Sequence, residues 1–85
     1  MSQTNTDLSA IIAEEQKHAA HEFQSEAWVG GISNGIEPEI LAEAAFDTAL
    51  KYLLQARNEK QVLKFLSHMR DKVVMGELSD HKTIQ

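Results

Sequence analysis

Glu14, Glu15, His18, His21 and Glu22 fall within nine positions, in the run EEQKHAAHE. Imidazole and carboxylate are ligands for zinc, nickel and iron. On a helix, Glu14, His18 and His21 stand at i, i+4 and i+7 and line one face. Two histidines and one carboxylate leave both the coordination sphere and its supporting shell incomplete. A di-iron centre in a helical bundle needs Glu-x-x-His on each of two helices and further inward carboxylates. Here Glu15-x-x-His18 occurs once, His68 falls on the polar side of its segment and His81 lies in the C-terminal tail. The expectation is a face turned to water, with a metal site on His18, His21 and Glu14 as the alternative. Histidine titrates near neutrality, but nothing in the sequence sets this pair beside a switching element.

Other chemistry has less to stand on. The chain has no cysteine, which removes disulfides, thiolate metal sites and thiol nucleophiles. Ser25, Ser33 and Ser67 occur in no recognisable nucleophile turn. The run GGISNG lacks the Lys-Ser/Thr ending and the preceding strand of a phosphate-binding loop. No catalysis and no cofactor are therefore expected. Lys60, Lys64, Arg70 and Lys72, preceded by Arg57, suggest phosphate binding. They spread over more than one face of an acidic protein, so a nucleic-acid-binding regulator is only an alternative reading.

The elements that position these groups follow from two places of strong punctuation. Gly30-Gly31 through Asn34-Gly35 and Pro38 form the first, and Gly76 the second. Between them the residues are good helix formers. The pattern predicts an all-α chain with helices near 7–29, 38–57 and 59–75, a disordered start over 1–6, a single domain over 7–78 and a frayed tail over 79–85. Pro38 suits a first helical position, Glu39 faces the positive end of the helix dipole, and Ile36 with Leu41 has the spacing of a hydrophobic staple. Asn58 with Gln61 has the spacing of a capping box, and Gly76 can supply a left-handed stop. The glycines at 30 and 31 are read as turning the chain.

The apolar faces then assign partners. The second helix carries Leu41, Ala42, Ala45, Phe46, Ala49, Leu50, Tyr52, Leu53 and Ala56 over about half its circumference, enough for two neighbours. The third has a narrower stripe, Val62, Phe65, Leu66, Met69 and Val73, and the first a thin one, Leu8, Ile12, Ala19 and Phe23. These faces predict a small three-helix bundle around a central, broad-faced second helix. Such a short chain is modestly stable alone, so a homodimer is expected, with Ala42, Ala45, Ala49 and Leu53 as its interface. Trp28, ahead of WVGG, is expected to fold with Val29, Ile32 and Ile36 over the ends of the other helices, or else to anchor a partner.

Charge sharpens the second possibility. Residues 1–50 hold nine acids and one base, a balance of −8, whereas residues 57–75 carry +3. No apolar run approaches the ~20 residues of a membrane span, and MSQTNTDLS has no signal-peptide pattern, so a cytoplasmic protein is expected. The function that fits is protein interaction by a small regulatory or adaptor protein, through Trp28, Glu14, Glu22 and Glu26, with a partner the sequence does not identify.

Overall fold

The computed structural model describes residues 2–79, with side chains described from Asp7 onward. The protein is all-α, with three helices in the order α1 (Ser2–Ser33), α2 (Pro38–Ala56) and α3 (Glu59–Val74). No strand occurs among the described residues. Both later helices match their expected bounds to within one residue, the ordinary uncertainty of helix ends. The first does not: it begins at Ser2, inside the segment read as disordered, and ends at Ser33 rather than at residue 29. Beyond Ser79, the expected tail lies outside the described residues, and so does His81.

The extension of α1 through Gly30-Gly31 has a local cause. The stop is made one turn later, where Gly35 takes a left-handed φ of 83°. The Gly35 amide donates to the Ile32 carbonyl at 2.9 Å and the Ile36 amide to the Gly31 carbonyl at 3.1 Å. Together these bonds form a Schellman cap. The Asn34 side-chain amide adds a 2.8 Å bond to the Gly30 carbonyl. With its last carbonyls engaged in this way, the helix tolerates two glycines, each costing about 1 kcal/mol of propensity relative to alanine.

Gly31 has a different role from the turn assigned to it. A Cβ placed there would lie 2.6 and 2.8 Å from the two methyl carbons of Leu41. The missing side chain thus lets the Leu41 side chain settle against α1. Gly30 has no such neighbour, since a Cβ there would meet nothing within 4 Å. On the other side of the elbow α2 starts as expected, with Pro38 first and the Leu41 amide donating to the Glu37 carbonyl at 2.9 Å.

Contacts gather into two compact units, Met1–Glu43 and Ala44–Gln85. The first unit holds α1, the elbow and the opening of α2. In it only Gly31, Leu41 and Ala42 are half-buried, and no described side chain is fully buried. The second holds the rest of α2, α3 and the closing turn. Its α2–α3 connection is the capping box read from the sequence: the Gln61 amide donates to Asn58 Oδ1 at 2.8 Å and the Asn58 amide to Gln61 Oε1 at 3.0 Å. Because only Arg57 and Asn58 join the helices, α3 returns along α2. Val62, 5% exposed, is the one buried residue described, and Leu50, Leu53, Leu66 and Met69 are half-buried. α3 ends in a second Schellman cap at Gly76 (φ 74°), with Gly76 donating to Val73 and Glu77 to Lys72.

Two substitutions separate the roles of the paired glycines. Gly30→Ala should stabilise the protein by about 0.5–1 kcal/mol through helix propensity. Gly31→Ala should be about 1–3 kcal/mol less stable than Gly30→Ala, because Leu41 must move. Urea midpoints measure both, and equal midpoints would show that Leu41 yields without cost. In the second unit, Val62→Ala should cost about 1.5–3 kcal/mol, more than truncation of any half-buried neighbour.

Candidate functional site

The most exposed apolar surface of the first unit lies on α1. Its expected buried stripe is uncovered: Leu8, Ile12, Ala19 and Phe23 are all exposed, Phe23 at 73%. Every described residue of α1 but Gly31 is exposed, Trp28 and Ile32 least among its large apolar side chains. The stripe therefore does not serve as the core face assigned to it. It forms an open apolar line, and Glu15, Glu22 and Glu26 fall on or beside that line at helical spacing.

The EEQKHAAHE run sits on the same uninterrupted helix. His18 Nε2 lies 3.7 Å from Glu22 Oε2, one turn ahead, and Lys17 Nζ lies 3.4 Å from Glu14 Oε2. Both pairs are well exposed. Glu14 is thus engaged with Lys17 and His18 with Glu22, and the expected Glu14, His18 and His21 triad is not drawn together. Among the described residues no group of three or more His, Asp or Glu side chains is placed to hold a metal ion. Two depressions run along this side of α1, one bordered by Ile11, Glu15 and Ala19 and the other by His21, Ser25 and Glu26. Both are open to solvent and enclose no site of the kind that buries a small ligand.

Trp28 is 40% exposed, less than Phe23 or Val29, and Ile32 one turn later is similarly covered. The bend at Gly30-Gly31 that was to fold it over is absent, because α1 runs on to Ser33. The four residues expected to meet a partner do not share one face. Trp28 and Glu14 stand within about 40° of each other around the helix, whereas Glu22 and Glu26 stand about 80° and about 120° beyond Glu14, toward the Leu8 stripe. α1 therefore offers an acidic side and an aromatic side.

The remaining expected residues divide as well. Ala42 and Leu53 are half-buried, whereas Ala45 and Ala49 are exposed. Of the bases on α3, Lys60, Lys64 and Arg70 are exposed, with Arg70 4.0 Å from Asp71, while Lys72 is half-buried along its stem. The sequence reading passed over Leu63 and Val74, which are 58% and 72% exposed. They lie eleven residues apart on the α3 side that carries Lys60, Lys64 and Arg70. The signal was that spacing, hidden because the neighbouring Val62 and Val73 were assigned to the inward stripe, of which Val62 is buried whereas Phe65 and Val73 are exposed.

No family model matches the chain, and comparison with curated proteins and with solved structures finds no significant match. No described helix is long and apolar enough to cross a membrane.

The exposed pairs on α1 imply small effects. Replacing His18 and His21 together with glutamine should leave the unfolding midpoint within about 0.5 kcal/mol of the starting protein, as exposed ion pairs contribute little. Calorimetric titration with zinc should give no saturable heat above the micromolar range for either protein. A stoichiometric zinc site lost in the double variant would restore EEQKHAAHE as a metal ligand set.

Proposed function

We propose that this chain is a small acidic protein-interaction module, a regulatory or adaptor protein without catalysis of its own, which presents α1 to another protein in the cytoplasm. The observation that carries this reading is the open state of α1: its apolar stripe is uncovered while carboxylates border it. Exposed apolar surface rimmed by charge marks interaction sites rather than ordinary protein surface. Trp28 with Ile32 supplies an aromatic anchor near the elbow, of the kind that dominates interface energetics. The carboxylates draw a basic partner into register and raise its association rate more than they add affinity.

Nothing particular favours the metal reading or the nucleic-acid reading over this one. Self-association belongs with the proposal, since a chain with one buried residue described gains stability from any surface that covers it.

The test starts from proteins cross-linked to the chain in its own cells, identified by mass and then purified. Trp28→Ala should weaken binding of the purified partner at least tenfold, and Glu14→Lys, Glu22→Lys and Glu26→Lys combined should slow association and remove its salt dependence. Circular dichroism verifies that each variant stays helical. Undiminished binding by both folded variants would sink the proposal.

A further inference from the structure

We infer that Asn34-Gly35, the turn that ends α1, is a site of spontaneous covalent modification, where hydrolytic loss of the Asn34 side-chain amide yields isoaspartate and dismantles the cap. Of the three asparagines in the chain only this one precedes glycine, since Asn5 is followed by threonine and Asn58 by glutamate. Glycine matters because it sets no side chain beside the backbone nitrogen that must attack. Both residues are exposed, and a Cβ built on Gly35 would meet nothing within 4 Å, so water reaches the turn freely.

In the reaction the Gly35 nitrogen gives up its proton and bonds to Asn34 Cγ, and the side-chain nitrogen leaves as ammonia. Water then opens the resulting cyclic imide at either carbonyl. Opening at Cγ leaves aspartate, whereas opening at the Asn34 backbone carbonyl routes the chain through the side chain, as isoaspartate with an added methylene in the main chain. The net change is amide and water to carboxylate and ammonium, and no other reactant is needed. The closed cap holds both reacting groups back. The Gly35 amide donates to the Ile32 carbonyl at 2.9 Å, and Asn34 Nδ2 donates to the Gly30 carbonyl at 2.8 Å. Reaction therefore proceeds through opening of the helix end, and its rate follows how often that end opens.

The isoaspartyl product cannot restore what opened. Its added methylene moves the Gly35 and Ile36 amides away from the Ile32 and Gly31 carbonyls, the two bonds of the Schellman cap. Either product also replaces the donor to the Gly30 carbonyl with a carboxylate at the negative end of the α1 dipole. The same turn leads the chain back so that Leu41 lies against Gly31, and these two with Ala42 are the half-buried residues of the first unit. Modification is thus a one-way loss of the elbow. It is independent of the partner reading, which makes no use of Asn34.

The experiment incubates the purified full chain at neutral and mildly alkaline pH, folded and in urea, and follows each asparagine by peptide mass spectrometry with enzymatic methylation to mark isoaspartate. Asn34 should convert, with isoaspartate in excess over aspartate, while Asn58 stays intact. Conversion should be faster at the higher pH, where the backbone nitrogen loses its proton more readily, and about tenfold or more faster in urea, where the cap is gone. Asn34→Gln, whose longer side chain closes the imide ring far more slowly, should keep its mass. The isoaspartyl form, separated by its extra negative charge, should show less helix by circular dichroism and a lower urea midpoint than the unaltered chain, with Asn34→Asp between them. An Asn34 that persists in urea as long as Asn58 overturns the site. Equal rates in the folded chain and in urea overturn protection by the cap, and an isoaspartyl form with the midpoint of the unaltered chain overturns the loss of the elbow.

Discussion

The governing constraint is a shortage of enclosed apolar surface. Ordering a residue's backbone costs on the order of 1–2 kcal/mol, while a fully buried aliphatic side chain returns about 1.5–3 kcal/mol. With Val62 the one buried residue described, neither unit can hold its helices by core packing alone. The backbone compensates at its ends. Two Schellman caps and a capping box engage amides and carbonyls that helix termini otherwise leave to water. Pro38 opens α2 with its φ already set. These are local devices, each formed among residues about a turn apart.

That same division decides what the sequence could reveal. Pro38, the Asn58 and Gln61 pair and Gly76 were legible because each cap is chemistry among residues within a turn of one another. The number of helices followed for the same reason. Gly30-Gly31 was misread because a glycine that breaks a helix and a glycine that admits a neighbour look alike in composition. The distinction rests on Leu41, ten residues beyond Gly31 and across the elbow, whose methyls occupy the space a Cβ would need. The true stop, Asn34-Gly35, lay only four residues further on and was read as part of the same breaker.

Amphipathic stripes were a half-reliable guide. On α3 the residues Val62, Leu66 and Met69 are covered, because a two-residue connection forces α2 beside them. On α1 an equally periodic stripe, Leu8, Ile12, Ala19 and Phe23, is bare. Periodicity records which face a helix would bury, and says nothing about whether the same chain supplies the cover. The histidine cluster shows the same limit from the polar side. Its spacing placed Glu14, His18 and His21 along one face, but Glu14 lies 3.4 Å from Lys17 and His18 lies 3.7 Å from Glu22, neighbours one turn away.

Carboxylates beside an open apolar stripe act in two directions. They keep the exposed surface hydrated and, because like charges repel, they disfavour the parallel or antiparallel pairing of α1 with itself that its apolar residues would otherwise permit. A surface of opposite sign would meet no such repulsion. Selectivity of this kind comes largely from the excluded alternative, since the apolar contacts alone would accept many partners. The balance of charge is uneven along the chain, −8 before residue 51 and +3 over residues 57–75, so the acidic border of the stripe belongs to a stretch with a single base.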